Sequence, residues 1–414
     1  MNVFKFGGAS VKNAEAVKNV AKILHQYADL ELIVVISAMG KMTNHLEAIL
    51  DASPKNERII LISEFENFHS HIAKELGILD EFLPFLNLRI SELQSSFDKN
   101  LDEFALYDLV VSQGELTSTR LIDCYLKHEG FNSAWLDART VISTEDNHKV
   151  TNVNWNLSAA KSQILRSLSA NHRIIITQGF IASNSKGETT TLGREGSDFS
   201  ASILAYLTSA KSVTIWKDVP GMLNADPRWF EDTIKLNKIS YREAIELAYY
   251  GASVIHPKTV KPLQNLSIPL HVKSFLDSEA EGTVISDGVK TEPLVPSYIF
   301  KQNQILISFI PKDFSFVEET HLSEIFKVLA QDKTTVNLMQ NSAVSFSVVA
   351  DSKCTNLSNI QEKLGHTFSI KFNNDLELLT IRHYDENIVN KLTSKKKILI
   401  EQKNRNTMRL VISN

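Results

Sequence analysis

Short apolar runs alternate with longer amphipathic segments over the first 273 residues, and this alternation constrains the fold more than any other feature. The apolar runs occupy 3–6, 32–36, 174–176 and 213–216. Continuous runs of this length are typical of strands that are buried on both faces of a sheet. Helical periodicity occupies the intervals at about 14–26, 56–76, 79–98, 115–128, 156–168, 198–208 and 241–250. The pattern predicts an α/β fold with an open, mostly parallel sheet sandwiched by helices.

The composition changes after Lys273. Residues 276–297 contain Gly, Pro and acidic residues without a long periodic run, which predicts a linker with a short strand around 283–285. Beyond it, segments from 304 to 372 follow the order βαββαβ, and a shorter βαββ series runs from 376 to 412. We therefore predict a large domain over 1–290 and a smaller α+β region over 298–414, which contains one full module and a truncated second one.

Charge and cysteine content exclude several classes of protein. The formal net charge of -4 gives no electrostatic reason to expect nucleic acid or an anionic membrane as a partner. The two cysteines, Cys124 and Cys354, exclude a disulfide framework and have no metal-ligand spacing. The first ten residues lack signal-peptide architecture, and no apolar run approaches the roughly 20 residues that span a bilayer. We expect a cytoplasmic protein.

Glycine-bearing and polar turns follow the predicted strands. Because ligands of parallel sheets bind beyond the carboxyl ends of the strands, these turns form the candidate site. Lys5 precedes Gly7 and Gly8 at the end of the first strand and before a predicted helix. Such glycines let backbone amides approach a phosphate, and the lysine supplies a mobile positive charge. The alternative is that the two glycines only form a tight turn.

Two further segments each allow a functional and a local interpretation. The hydroxyls of Ser37 and Thr43, in the turn after the second strand, could contact a small polar ligand, or Thr43 could cap a helix. Glu115 follows a glycine at a predicted helix start. Its carboxylate could bind an ammonium group, or it could be a solvated acid that the helix dipole favours.

The segment 189–198, TTTLGREGSD, carries the strongest chemical signal. Arg194 can hold a carboxylate with two parallel hydrogen bonds. Ser197 and the backbone amides after Gly196 suit a helix N-terminus that holds an anion. Asp198 can orient a lysine near an incoming phosphate. This combination of residue types favours a binding loop over an ordinary surface loop.

The last segment of interest contains Lys217-Asp218-Val219-Pro220-Gly221 and, further on, Asp-Pro-Arg at 226–228. It is either part of a nucleotide pocket or an ordinary loop. The P-loop, dinucleotide-binding and HEXXH signatures do not occur in the sequence. P-loop ATPases, Rossmann dehydrogenases and zinc metalloproteases of that type therefore lack support. The histidines are scattered, and we predict no metal site in the protein itself.

Taken in order, these motifs resemble the aspartate kinases of the amino-acid kinase superfamily. The resemblance covers about the first 290 residues and is carried by KFGGAS, VVISAMGKMTNHL, SQGELTSTRL, ITQGFIA, TTTLGREGSDFSA, TIWKDVPGMLNADPR and ISYREAIELAYYGASVIHPKTV. It implies transfer of the γ-phosphate of ATP, which carries Mg²⁺, to the β-carboxylate of L-aspartate, the first step toward lysine, threonine and methionine. The C-terminal region resembles ACT modules, which implies an amino-acid effector such as lysine or threonine and a homodimer through these modules.

The resemblance also implies roles for individual residues. Lys5 and Asp198 would be catalytic, with Asp198 organising the lysine. Glu115 would meet the ammonium group of aspartate and Arg194 its α-carboxylate. The implied contacts to aspartate are Ser37, Thr43, Glu115, Arg194, Gly196 and Ser197. The implied contacts to ATP are Lys5, Gly7, Gly8, Lys217, Asp218, Leu223, Arg228 and Ser253.

Three positions depart from the family pattern. The family usually has a small residue in place of Glu195, a threonine in place of Lys217 and a lysine in place of Ser253. We hypothesise that the Lys217 ammonium takes the phosphate-facing place of the missing lysine; the alternative is a solvated loop lysine. Two other functions stay open. Arg194 and Glu115 together fit any α-amino acid, so the acceptor could be glutamate, and a catalytically silent amino-acid sensor could keep the same fold.

Overall fold

The computed structural model describes residues 1–252 and 254–413. Its strands in chain order are β1 (Asn2–Phe6), β2 (Leu32–Ile36), β3 (Ser133–Leu136), β4 (Ile174–Gln178), β5 (Ile181–Ser183), β6 (Thr189–Thr191), β7 (Val213–Lys217), β8 (Met222–Leu223), β9 (Lys235–Leu236), β10 (Lys238–Ser240), β11 (Leu270–Ser274), β12 (Thr283–Ser286), β13 (Ser297–Pro311), β14 (Val336–Asn341), β15 (Phe346–Asp351), β16 (Phe368–Arg382), β17 (Lys397–Lys403) and β18 (Thr407–Ser413).

The α-helices in chain order are α1 (Ala14–Gln26), α2 (Met42–Asp51), α3 (Lys55–Glu75), α4 (Leu79–Ser96), α5 (Glu103–His128), α6 (Trp155–Lys161), α7 (Gln163–Ser169), α8 (Gly196–Thr208), α9 (Tyr241–Tyr250), α10 (Pro257–Asn265), α11 (Glu319–Gln331), α12 (Leu357–Leu364) and α13 (Glu386–Thr393). No helix of the described residues is long and apolar enough to cross a membrane.

The first compact unit comprises 1–222, 235–245 and 254–293. Its eight-stranded sheet has the order β10-β12-β11-β7-β1-β2-β4-β3. Neighbouring strands are parallel except for β11 and β12. Every residue of β1, β2 and β4 is buried, as the continuous apolar runs predicted. The α/β fold with a mostly parallel sheet is thereby confirmed. The segment around 283–285 is a strand, as predicted, and it belongs to this sheet.

The helices of this unit correct two sequence predictions. The predicted helix 115–128 is only the second half of α5, which begins at Glu103 behind the N-cap Asp102. The predicted helix 156–168 is two helices, because Ser162 donates both its amide and its hydroxyl to the carbonyl of Ala159 and interrupts the regular ladder. The other predicted helices lie within a few residues of their observed bounds.

The second compact unit comprises Leu223–Ile234, 246–252 and 294–413. Its six-stranded antiparallel sheet has the order β14-β15-β13-β16-β18-β17. The strands β13 and β16 pair over their whole lengths, and each extends beyond the series of segments predicted from 304 to 372. The polar stretch around Lys301–Gln304, which interrupts the apolar pattern, is an irregularity inside β13 rather than its end.

The long strands divide this sheet into two halves. In one half, β13 pairs with β15, and α11 and α12 supply Ile325, Val328, Ile360 and Leu364 to the core. In the other half, β16 pairs with β18, and α13 supplies Val389. The second half therefore has one helix where the first has two. The boundaries at 290 and 298 stay a prediction.

Candidate active site

Seven segments of the first unit line one cavity of about 530 Å³. Four of them end or follow the adjacent strands β7, β1, β2 and β4, and the others are α5, the loop at 149–150 and the turn that leads into α8. The predicted site residues that line it are Lys5, Ser37, Thr43, Glu115, Arg194, Gly196, Ser197, Asp198 and Lys217. The cavity therefore lies where parallel sheets bind ligands, beyond the carboxyl ends of the strands.

A buried carboxylate between two lysines forms the floor of the cavity. Asp198, in the first turn of α8, is 2% exposed. The Nζ atom of Lys5 lies 2.6 Å from its Oδ1, and the Nζ atom of Lys217 lies 3.3 Å from its Oδ2. Burial alone would raise the pKa of Asp198, but the two ammonium groups outweigh it and hold the pKa below the usual value. The carboxylate is therefore ionised at neutral pH and orients both lysines.

Lys217 is not a solvated loop lysine. Its side chain is 20% exposed, and its ammonium group also donates to the backbone carbonyl of Val254. The hypothesis that Lys217 replaces a lysine missing at position 253 concerns Ser253, which lies outside the described residues. The hypothesis stays a prediction.

Glu115 forms a second buried acidic position on the cavity wall, at 2% exposure. Its Oε1 accepts a hydrogen bond of 3.3 Å from the Ala38 amide, whereas its Oε2 has no partner among the described residues. Burial raises the pKa of Glu115 to about 8. A buried acid with one free oxygen facing a cavity is suited to receive a cation such as an ammonium group.

The interpretation of Glu115 as a solvated acid at a helix start is wrong. Glu115 lies in the middle of α5, and Gly114 precedes it inside the helix. A Cβ at Gly114 would lie 2.9 Å from the Cβ of Ala38 and 3.0 Å from Cδ1 of Leu46. Glycine is present because the turn after β2 and the helix α2 pack directly against the α5 backbone.

We expect Gly114→Ala to destabilise the protein, by about 1–3 kcal/mol from overpacking. In a solvent-exposed helix the same substitution would stabilise the helix by roughly 0.8–1 kcal/mol. The sign of the change in unfolding free energy therefore shows whether close packing at Gly114 dominates. Urea unfolding of both proteins measures it. Equal or greater stability of the variant would show that the packing at Gly114 is loose.

The glycines after β1 have separate steric roles. A Cβ at Gly7 would lie 3.3 Å from the Lys5 Nζ, so Gly7 leaves room above the ammonium group. A Cβ at Gly8 would lie 2.7 Å from the carbonyl oxygen of Gly40, and the Gly40 amide donates to the Gly8 carbonyl. Gly8–Val11 is a 3-10 turn, and α1 begins at Ala14, as predicted, behind the N-cap Asn13.

The turn between β6 and α8 brings an arginine and a helix N-terminus to the cavity. Glu195, the N-cap residue of α8, has a left-handed backbone with φ of 53°. Gly196 packs against Phe180, where a Cβ would lie 2.7 Å from the ring. Arg194 is exposed at the cavity rim, and Ser197 and Asp198 occupy the first turn. The positive end of a 13-residue helix therefore faces the cavity.

Five predicted residues are not part of the cavity lining, namely Gly7, Gly8, Asp218, Leu223 and Arg228. Thr43 lines the cavity but is inside α2, whose N-cap is Lys41, so it is not the capping residue. Asp218 is exposed directly after β7. Leu223 and Arg228 belong to the second unit, where the Arg228 guanidinium pairs with Asp226. Their role in binding ATP stays a prediction.

Several lining residues were missed by the sequence analysis. They are Tyr107, Lys149, Val150, Phe180, Thr191, Gly193 and Glu195 as a site residue. One signal was present, because Phe180 follows the glycine of the quoted segment ITQGFIA. Nothing in the pattern around Lys149 indicated a site. In the described part of the chain, no group of three or more His, Cys, Asp or Glu side chains is placed to hold a metal ion.

Comparison with known proteins shows the family to which the chain belongs. The model of the amino acid kinase family matches residues 1–274. The lysine-sensitive aspartokinase 3 of Escherichia coli is 34% identical over 354 residues, which cover 84% of this chain and 78% of that protein. The crystal structure of E. coli aspartokinase III in complex with aspartate and ADP has a TM-score of 0.85 at 28% identity, covering 100% of this chain and 96% of the other.

A second crystal structure of the same enzyme, in complex with lysine and aspartate, has a TM-score of 0.84 at 28% identity. It covers 99% of this chain and 95% of the other. The likeness thus extends over both compact units, beyond the part that the family model matches. The chain belongs to the amino acid kinase family and, within it, to the aspartokinases.

Proposed function

We propose that the protein transfers the γ-phosphate of ATP to the β-carboxylate of L-aspartate, giving 4-phospho-L-aspartate and ADP. The observation that carries the proposal is the Lys5–Asp198–Lys217 cluster in a cavity that also contains Glu115 and Arg194. Two cations at the floor suit a phosphoryl group, and an acid and an arginine on the walls suit an α-amino acid. E. coli aspartokinase III binds aspartate and ADP.

In the proposed complex, different residues of the cavity wall bind different groups of aspartate. Glu115 receives the α-ammonium group on its free Oε2, and Arg194 holds the α-carboxylate with its guanidinium. Ser37, Thr43, Gly196 and Ser197 provide further polar contacts. The β-carboxylate then points toward the Lys5 ammonium at the floor. Because Asp198 holds that ammonium in place, little reorganisation is needed when the phosphoryl group arrives.

The reaction is an in-line displacement at the γ-phosphorus. A β-carboxylate oxygen forms the new P–O bond while the bond to the bridging oxygen of ADP breaks. The substrate carboxylate is already ionised at neutral pH, so the step needs no general base. Lys5 and the amides at the start of α8 offset the charge on the phosphoryl oxygens. Magnesium enters with ATP as part of the substrate and neutralises phosphate charge.

Trapping the acyl phosphate with hydroxylamine tests the proposal. Purified protein, MgATP and hydroxylamine are incubated with aspartate, with glutamate or without an acceptor, and the hydroxamate is quantified. We expect ATP-dependent hydroxamate with aspartate and none above background without an acceptor. Greater activity with glutamate would favour the alternative acceptor. No hydroxamate with either would favour the catalytically silent sensor.

The buried Glu115 predicts how aspartate binding depends on pH. With a pKa of about 8 the free carboxyl is protonated at pH 7, and a bound ammonium group favours its ionised form. Binding therefore releases a proton, and raising the pH strengthens binding until the pH exceeds the pKa of free Glu115. Below that pKa, the KM for aspartate should fall by up to about tenfold for each pH unit.

Measuring the KM for aspartate between about pH 6.5 and about pH 8 tests this linkage. Glu115→Gln, which cannot ionise, is the matched control and should give a weaker but pH-independent KM. A pH-independent KM in the unmodified protein would contradict the proposed contact. The same slope in Glu115→Gln would assign the titration to another group.

The second unit is proposed to bind an amino-acid effector and to pair with its copy in a homodimer. Its two-helix half and its one-helix half resemble a full and a shortened ACT-like module. The E. coli relative is named lysine-sensitive, and one of its structures contains lysine. Adding lysine or threonine to the hydroxamate assay identifies the effector, and light scattering gives the oligomeric state.

A further inference from the structure

One buried carboxylate near the cavity has no role in the proposed chemistry. Asp108 lies on α5 seven residues before Glu115, and its side chain has no solvent exposure. It does not line the cavity. Burying an ionised group is costly unless other groups compensate it, so its partners indicate what it holds in place.

Three hydrogen bonds tie Asp108 to two other segments. The Thr191 hydroxyl donates to Oδ1 at 2.6 Å. The Lys149 backbone amide donates to Oδ2 at 2.9 Å, and Nδ1 of His148 lies 3.1 Å from the same oxygen. On its other side, Nε2 of His148 lies 3.6 Å from Glu188. Burial raises the pKa of Asp108, and these hydrogen bonds act against that rise.

Both segments that Asp108 holds form cavity walls. Lys149 and Val150 line the cavity, and so does Thr191, three residues before Arg194. The two segments also contact each other, since the amide and hydroxyl of Thr151 both donate to the Thr191 carbonyl, at 3.0 and 3.1 Å. Asp108 thereby connects the helix that carries Glu115 to the strand that leads to Arg194.

The loop at Lys149 and Val150 has a backbone conformation that needs such support. The φ angles are 51° for Lys149 and 63° for Val150, and a β-branched residue rarely adopts the left-handed region. Such conformations persist when surrounding contacts fix them. One contact is the Asp108 carboxylate. Another is Gly193, where a Cβ would lie only 3.0 Å from the Val150 methyl groups.

We propose that Asp108 is a positioning residue for the acceptor amino acid. It touches neither substrate in this arrangement. It fixes the Lys149–Val150 loop and the Thr191–Arg194 strand end against α5, and so sets the spacing between the groups that receive the ammonium and the α-carboxylate. This inference rests on the proposed function, because it assigns those two groups to one amino-acid substrate.

The test compares two buried carboxylates on the same helix. Asp123 on α5 is also unexposed, and its carboxylate accepts a hydrogen bond of 2.8 Å from the Ser133 hydroxyl and pairs with Lys127, but it does not line the cavity. We expect Asp108→Ala to raise the KM for aspartate by about tenfold or more, as misplaced binding groups do, while the KM for ATP stays within about twofold. Asp123→Ala should lower thermal stability without raising the KM for aspartate.

Two further variants separate positioning from general destabilisation. Asp108→Asn keeps an acceptor oxygen for the loop, and the Thr191 hydroxyl can reverse its role and accept from the amide, so most of the aspartate affinity should return. His148→Ala removes only one of the three hydrogen bonds to Asp108, together with the contact to Glu188, and should give a smaller rise in the KM for aspartate. It also carries the test if Asp108→Ala does not fold.

Specific outcomes overturn the inference. A KM for aspartate that rises no more in Asp108→Ala than in Asp123→Ala would do so, as would an equal rise in the KM values of both substrates. If Asp108→Ala does not fold, an unchanged KM for aspartate in His148→Ala would also contradict the positioning role of Asp108. Absence of any aspartate-dependent activity in the unmodified protein would instead contradict the proposed function.

Discussion

Lys5→Ala should lower kcat by about 100-fold or more, because losing one preorganised charge at the reacting group has an effect of that size. The ammonium group is 2.6 Å from the buried Asp198, so its position is fixed before substrates bind. Steady-state kinetics at saturating ATP and aspartate measure the change. Removing Lys5 leaves Lys217 beside Asp198, so the carboxylate keeps one counter-charge and the fold should persist.

Two controls separate catalysis from stability. Lys5→Met keeps the aliphatic stem and should lose as much activity as the alanine variant. Lys273→Met removes a lysine from the neighbouring region of the same sheet, where the ammonium group lies 3.2 Å from the Tyr27 hydroxyl and outside the cavity. It should keep nearly full kcat. A folded Lys5→Ala variant with near-normal kcat would remove Lys5 from the mechanism.

Lys217→Thr should raise the KM for ATP by about 10- to 150-fold, which corresponds to one charge-assisted hydrogen bond of roughly 1.5–3 kcal/mol. The lysine shares Asp198 with Lys5, which places its ammonium group at the floor of the cavity. The resemblance to aspartate kinases implies a threonine at this position. Without the Lys217 ammonium group, Asp198 keeps only Lys5 as a partner, and the position of Lys5 should change. We therefore also expect some loss of kcat.

An exposed lysine near the start of the same strand provides the control. Lys211→Thr removes one positive charge next to β7 and should leave the KM for ATP unchanged. Adding Ser253→Lys to Lys217→Thr should restore much of the affinity if the two lysines serve the same phosphate. If Lys217→Thr and the unmodified protein have the same KM for ATP, Lys217 does not contact ATP and its role is only to orient Asp198.

The fold was predictable where one physical requirement dominates the sequence. The central strands must be apolar on both faces, so β1, β2, β4 and β7 are visible as continuous runs, and α1 shows a regular apolar stripe. The pattern failed where a polar stretch occurs inside a strand. Lys301–Gln304 lies within β13, and an irregular pairing with β16 accommodates it.

The site was predictable where chemistry demands a residue type. Lys5, Glu115, Arg194 and Asp198 are charged side chains next to predicted strand ends or glycines, and they do meet in one cavity. The mid-helix position of Glu115 was missed because a glycine normally marks a helix end. Here Gly114 is required by the close approach of Ala38, a contact between segments far apart in the sequence.

The loop at Lys149 and Val150 was not predictable for a related reason. Its backbone conformation depends on Asp108 and Gly193, which lie about 40 residues away on either side. No local preference of lysine or valine indicates a left-handed backbone. Contacts of this kind follow from the tertiary structure, and local sequence patterns do not contain them.

The identity of the carboxyl group that becomes phosphorylated tests the central claim most directly. Protein, MgATP and aspartate labelled with carbon-13 at C4 are observed by phosphorus NMR, with aspartate labelled at C1 as the matched sample. We predict a new acyl-phosphate resonance that is split by coupling to carbon-13 in the C4 sample only. An acyl-phosphate resonance split in the C1 sample, or release of inorganic phosphate without any acyl phosphate, would contradict the proposed transfer.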